Sequence, residues 1–81
     1  MDSKTTNLYD LEEFNTAFVE TTLREVSEAL KEKGYDPINQ LTGYLMSGDP
    51  GYISSHNNAR KKITSIDRSK IIESLLKKGL N

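Results

Sequence analysis

Apolar residues are scarce in this 81-residue chain, and most of them recur at steps of three or four residues. Hydrophobic residues make up only 35% of the sequence, and cysteine is absent. A chain of this length buries only about 60–65% of its unfolded surface, so a lone core is marginal. Disulfides are impossible, and the single histidine makes a zinc site improbable, so we expect a homodimer that shares a core.

The spacing of the apolar residues predicts helices and gives no alternating pattern typical of strands. A first helix is predicted from about Asn15 to a C-terminal stop at Gly34. Asp36-Pro37 predicts the N-cap and first turn of a second helix, which Gly48 ends.

A third helix is predicted near Asn57–Ile66, and Asp67 is expected to cap a fourth that ends at Gly79. Gly43 lies inside the second helix, where glycine costs about 1 kcal/mol against alanine, so we expect a close packing partner there. The residues expected to face inward are Phe18 or Val19, Leu23, Val26, Leu30, Ile38, Leu41, Leu45, Ala59, Ile63, Ile66, Ile71, Ile72, Leu75 and Leu76.

The predicted fold is therefore all-α: a compact, homodimeric bundle of four or five short helices with a flexible N-terminal tail. Residues 1–13 lack a sustained periodicity and form the predicted tail, and residues 14–81 form the predicted helical dimerisation domain. No apolar segment of a signal peptide and no run of about 18 apolar residues occurs, so we expect a cytoplasmic protein without membrane insertion.

Charge is distributed unevenly although the net charge is only −1. Residues 1–36 hold nine acidic and four basic side chains, and residues 37–81 hold three acidic and seven basic ones. A nucleic-acid-binding domain is usually basic overall, so this distribution is more typical of a protein that pairs with itself or another protein.

No arrangement of residues predicts catalysis. His56 follows Ser54 and Ser55 on a predicted loop, but sequence neighbours do not make a catalytic triad. The glycine motifs that bind phosphate are missing, and no cofactor or metal is expected. We therefore expect that the chain is not an enzyme.

Two groups of residues are candidate functional sites. Thr5 and Thr6 lie in the predicted tail, where a kinase could reach them and where phosphate would add nearly two negative charges. A basic cluster around the third helix could bind a phosphate or an acidic partner, or it could be a solvated polar face. Its members are Arg60, Lys61, Lys62, Arg68 and Lys70.

Several short motifs at fixed spacing resemble the IreB/ReoM family of small regulatory phosphoproteins of Gram-positive bacteria. The motifs are Glu32-Lys33-Gly34-Tyr35-Asp36-Pro37-Ile38-Asn39-Gln40, Gly43-Tyr44, Ser47-Gly48-Asp49-Pro50, Tyr52, Ala59-Arg60, Arg68 and Ile71-Ile72. The resemblance extends from about Thr6 to Leu76.

This resemblance implies a helical, non-enzymatic homodimer. It also implies phosphorylation by a membrane Ser/Thr kinase with PASTA repeats and an opposing phosphatase. The output would be control of peptidoglycan synthesis, in some members through Clp-dependent degradation of the first committed enzyme of that pathway. Thr6 fits the position of the family's phosphothreonine, and Thr5 is a second candidate.

The resemblance further implies that arginines along the third helix matter for the regulatory output. Arg60 and Arg68 match two of these, and Lys61 and Lys62 extend the predicted partner-binding surface. Ser55 and Thr64 stand where relatives carry arginine, which weakens the basic surface. Two other functions stay open: a small nucleic-acid-binding module of the helix-turn-helix kind, and a structural dimer that scaffolds a larger complex.

Overall fold

The computed structural model describes the backbone from Leu8 to Asn81 and the side chains from Asn15 onward. This part of the chain contains four α-helices: α1 (Leu8–Glu32), α2 (Pro37–Ser47), α3 (Ala59–Thr64) and α4 (Arg68–Leu80). Two single-turn 3₁₀ helices, Pro50–Tyr52 and His56–Asn58, lie between α2 and α3. The prediction of an all-α domain with four helices is confirmed.

Helix α1 begins at Leu8, earlier than the predicted start near Asn15. Once a helix is anchored by tertiary packing, each further residue adds one hydrogen bond, and the leucines and glutamates of this region are strong helix formers. The predicted tail of residues 1–13 therefore overlaps the first turns of α1, and residues 1–7 lie outside the described residues.

The boundaries of α2 follow the predicted capping chemistry. Asp36 Oδ1 accepts a hydrogen bond of 3.0 Å from the Ile38 amide, and Pro37 occupies the first turn. Gly48 ends the helix in the left-handed region, at φ 76°, and its amide donates to the Tyr44 carbonyl. Asp67 occupies the N-cap position of α4, as predicted, although its side chain makes no capping hydrogen bond and its carbonyl accepts from the Lys70 amide.

The core forms where α2, α3 and α4 pack against α1. Val26 and Leu30 of α1 are fully buried, together with Ile63 of α3 and Ile71 of α4. Ile53, which lies outside the helices, is fully buried as well. The other members of the core are Val19, Ala29, Tyr44 and Ala59, with Leu23, Leu41, Leu45 and Ile66 partly buried against it.

Several residues expected to face inward are exposed. On α2, Ile38 is 72% exposed and Tyr44 is buried instead. On α4, only Ile71 and Ser74 are buried, so one narrow face of that helix meets α1. The outer side of α4 exposes Ile72, Leu75, Leu76 and Leu80.

The expected close partner of Gly43 is the ring of Tyr52. A Cβ atom built on Gly43 would lie 2.4 Å from Tyr52 Cε1, a distance at which one group must move. The Tyr52 carbonyl accepts a hydrogen bond of 2.9 Å from the Gln40 side chain, which holds the 3₁₀ turn against α2. Glycine is therefore required for the packing of Tyr52 on α2.

We predict that Gly43→Ala lowers the free energy of unfolding by about 1–3 kcal/mol, because the added methyl group displaces the Tyr52 ring. In a Tyr52→Ala background the same change should stabilise by up to about 1 kcal/mol, because alanine favours helix. Urea denaturation of the four variants measures both effects. Gly79→Ala is the control, since nothing lies within 4 Å of its added Cβ. Equal effects of Gly43→Ala in both backgrounds would contradict the account.

Candidate functional site

The four residues predicted to bind a partner lie in three different environments. Lys62 Nζ forms an ion pair of 3.2 Å with Glu25 Oε1 of α1. Arg68 contacts the C-terminal end of α2. Arg60 and Lys61 line a shallow depression next to the loop that joins α2 to α3. Their role in partner binding stays a prediction.

Arg68 binds the last turn of α2. Its Nη1 donates a hydrogen bond of 2.9 Å to the Leu45 carbonyl, one of the carbonyls that a helix end leaves without an intrahelical partner. A cation at this position also interacts favourably with the helix dipole. Gly48 permits this approach, because a Cβ on Gly48 would lie 2.8 Å from Arg68 Cζ.

Arg60 holds the loop that precedes α3. Its Nε donates a hydrogen bond of 2.9 Å to the carbonyl of the buried Ile53. Both predicted arginines therefore hold backbone carbonyls in place. The sequence did not predict these two contacts. Arg68 binds a carbonyl that is far from it in the chain, and Arg60 binds a carbonyl in an irregular loop.

Within the described side chains, the depression beside α3 carries two cationic groups, Arg60 and Lys61, and no acidic one. It is lined by Pro50, Ser55, Asn58, Arg60, Lys61 and Thr64. Arg60 and Lys61 form no ion pair with any side chain from residue 15 onward. Ser55 also lines the depression, whereas the Thr64 hydroxyl donates to the Arg60 carbonyl at 2.8 Å, so an anionic group would be held mainly by the charges of Arg60 and Lys61.

His56 and Asn57 fix the loop to the end of α1. His56 Nε2 lies 2.7 Å from Glu32 Oε1, and Asn57 Nδ2 donates to the same oxygen at 3.4 Å. Asn57 and Asn58 both adopt positive φ, which asparagine tolerates better than most residues. His56 thus has a structural contact, and no serine hydroxyl approaches its ring among the hydrogen bonds of the described residues.

A comparison with known protein families gives a match over nearly the whole chain. The family model described as IreB regulatory phosphoprotein matches residues 4–81. This chain belongs to the IreB family. Its members are regulatory phosphoproteins and not enzymes, and a phosphoprotein implies a kinase as partner.

In the structure, several of the motifs that resemble the IreB family are residues that pack against or cap one another. Gly43 receives Tyr52, Gly48 receives Arg68, and Asp36 caps α2. No helix among residues 8–81 is long and apolar enough to cross a membrane. The side chains from Asn15 onward bring together no group of three potential metal ligands.

Thr5 and Thr6 lie outside the described residues, but α1 limits which cations Thr6 can meet in its own chain. Lys62 pairs with Glu25, which follows Leu8 by about 26 Å of helix. Helix α3 runs antiparallel to α1, so Arg60 is farther still from Leu8. The two residues from Thr6 to Leu8 span at most about 7 Å, so phosphorylated Thr6 cannot reach Arg60 in the same chain while α1 is intact.

We predict that Arg68→Ala lowers the free energy of unfolding by about 1 kcal/mol, because the Leu45 carbonyl loses a charge-assisted donor. Lys61→Ala removes the same charge from an exposed side chain without a structural contact and should change stability by less than about 0.5 kcal/mol. Thermal and urea denaturation compare the two variants. Equal stability of Arg68→Ala and Lys61→Ala would show that the contact with α2 is not structural.

Proposed function

We propose that this protein is a cytoplasmic regulator switched by phosphorylation of Thr6, with Thr5 as a secondary acceptor. The kinase would be a membrane Ser/Thr kinase with PASTA repeats, opposed by a cognate phosphatase. Membership of the IreB family is the observation that supports this proposal, because the match spans residues 4–81 and so includes both threonines.

The proposed output is control of peptidoglycan synthesis through protein–protein contacts, with effects on antibiotic tolerance. The partner would be a component of the cell-wall pathway or of Clp-dependent proteolysis. Lys61 and Arg60 are the residues that we expect to meet an acidic surface of that partner, since they form no ion pair with the described side chains.

Nucleic-acid binding is the weaker candidate. Helix α3 has only six residues, and of its three consecutive cations Lys62 is paired with Glu25 and Arg60 is bonded to Ile53. Acidic side chains of α1 therefore lie beside the helix that would have to approach a phosphate backbone. The net charge of −1 adds no general attraction for nucleic acid.

We predict that Thr6→Ala removes most of the phosphate that the cognate kinase transfers and holds the regulatory output in one state. Thr5→Ala is the matched control and should remove little, because Thr6 occupies the position of the family phosphothreonine. Intact-mass measurement and peptide mapping of protein isolated from its own cells locate the phosphate. Labelling that survives in Thr6→Ala but disappears in Thr5→Ala would reverse the assignment, and labelling that neither change affects would refute it.

The proposal includes a homodimer. Helix α4 leaves a continuous apolar strip on its outer side, formed by Ile72, Leu75, Leu76 and Leu80. Its positions follow an i, i+3, i+4, i+8 spacing, so the side chains share one face of the helix. Covering such a strip supplies the apolar burial that a chain of this size otherwise lacks.

We predict a mass of about twice 9.1 kDa by sedimentation equilibrium at micromolar concentration. Leu76→Glu should shift the equilibrium to monomer, because it places a charge in the buried strip. Ile38→Glu is the control, since Ile38 is also apolar and exposed, at 72% against 55% for Leu76, but lies on α2. A wild-type monomer, or equal dissociation by both substitutions, would contradict this assembly.

A further inference from the structure

A cleft separates the N-terminal half of α1 from the first turns of α4, and no known role of the chain uses it. Its volume is about 310 Å³. Phe18, half exposed, and the partly buried Ile66 give it an apolar floor. Its lining also includes Asn15, Thr16, Val19, Asp67, Lys70, Glu73 and Lys77.

Within the described side chains, the two lysines of this cleft, Lys70 and Lys77, are less closely ion-paired than the neighbouring Lys78. Lys78, on the same helix, forms an ion pair of 3.0 Å with Glu20. Lys70 Nζ lies 3.9 Å from Glu73 Oε1, which is beyond hydrogen-bond distance. Lys77 forms no ion pair with any side chain from residue 15 onward. Asp67 and Glu73 balance the two lysines, so the cleft has no net charge and an anion is attracted only at the lysine ammonium groups.

The length of the chain before α1 makes residues 1–7 a possible occupant. Asn15 lines the cleft and follows Leu8 by about 10 Å of helix. Thr6 itself lies at most about 7 Å from Leu8, so it can fold back along the first turns of α1, and the side chains of phosphothreonine and lysine span the remaining few ångströms. The cleft is thus within reach of the segment in the same chain, whereas Arg60 is too far along α1 for Thr6.

Phosphorylation of Thr6 would make this segment more negative, as binding to the two lysines requires. Residues 1–7 contain one acidic and one basic side chain, Asp2 and Lys4. A phosphate on Thr6 adds about −1.5 to −2 charges at neutral pH and three acceptor oxygens. The phosphorylated segment then offers an anion to Lys70 and Lys77, neither of which has an ion pair closer than 3.9 Å with any side chain from residue 15 onward.

We infer that residues 1–7 occupy the α1–α4 cleft of their own chain when Thr6 is phosphorylated, with the phosphate between Lys70 and Lys77. This inference rests on the proposed function, in which Thr6 is the phosphoacceptor. The bound segment covers the exposed half of Phe18 and the start of α4. The kinase therefore changes the surface near the α1–α4 crossing and leaves the basic depression beside α3 unchanged.

The absence of cysteine makes a direct test possible. Ser3→Cys places one spin label in the segment, and phosphothreonine is incorporated at position 6 during synthesis of the full chain. Amide signals of Asn15, Phe18, Ser74 and Lys77 should broaden in the phosphorylated chain and much less in the unphosphorylated one. Because the phosphate is installed directly, the result does not depend on whether the kinase selects Thr6.

Substitutions then identify the phosphate-binding groups. Lys70→Ala and Lys77→Ala should each lower the ratio of bound to unbound segment about two- to fivefold, as expected for exposed charge pairs. Lys61→Ala removes an equal charge outside the cleft and should leave the broadening unchanged. Raising the NaCl concentration should weaken it, because the contact is exposed.

Three results would overturn the inference. The broadening could be equal with and without phosphate, or it could persist in the Lys70→Ala/Lys77→Ala double variant. It could also appear only on isotope-labelled chains mixed with separate spin-labelled chains, which would assign the contact to a second copy. Failure of the kinase to modify Thr6 in cells, with phosphate-dependent broadening intact, would instead count against the proposed function alone.

Discussion

The fold depends on one buried face of α1. Val19, Val26, Ala29 and Leu30 lie on this face, and α2, α3 and α4 all pack against the helix that carries them. Helices as short as the six residues of α3 are not stable in isolation, so its conformation depends on Ala59 and Ile63 remaining in contact with this core. The few apolar residues of this chain form one core because they converge on α1.

Polar contacts at the edge of this core hold the loops and helix ends in place, because the small apolar core does not extend to them. Arg68 binds the end of α2, Arg60 binds the carbonyl of Ile53, and His56 binds Glu32 at the end of α1. The arginines expected to serve regulation therefore also support the fold. Loss of regulation in an arginine variant needs a stability measurement before it can be assigned to partner binding, and Lys61 is the cleaner residue for that purpose.

The sequence predicted those features that depend on local chemistry. Asp36, Pro37 and Gly48 set the limits of α2, and the glycine at position 43 indicated a close neighbour. It did not predict which side of α4 is covered, because Ile71 and Ile72 are equivalent in periodicity and only packing distinguishes them. The contacts of Arg60 and Arg68 were missed as well, because they depend on how the chain folds back on itself. Lys70 was grouped with the basic cluster around α3, whereas the structure places it beside Lys77 in the α1–α4 cleft.

If the phosphorylated segment binds the α1–α4 cleft, the core on α1 stays a rigid support and phosphorylation changes only the surface near the N-terminal end of α1. Hydrogen exchange of the full chain, with and without phosphate on Thr6, tests this claim most directly. We expect the protection of backbone amides from exchange to change near Asn15–Val19 and in α4. It should stay unchanged at the buried Val26, Leu30 and Ile63. Changed protection at these three buried residues would mean that phosphate acts through the core, and it would contradict a change confined to the adjacent surface.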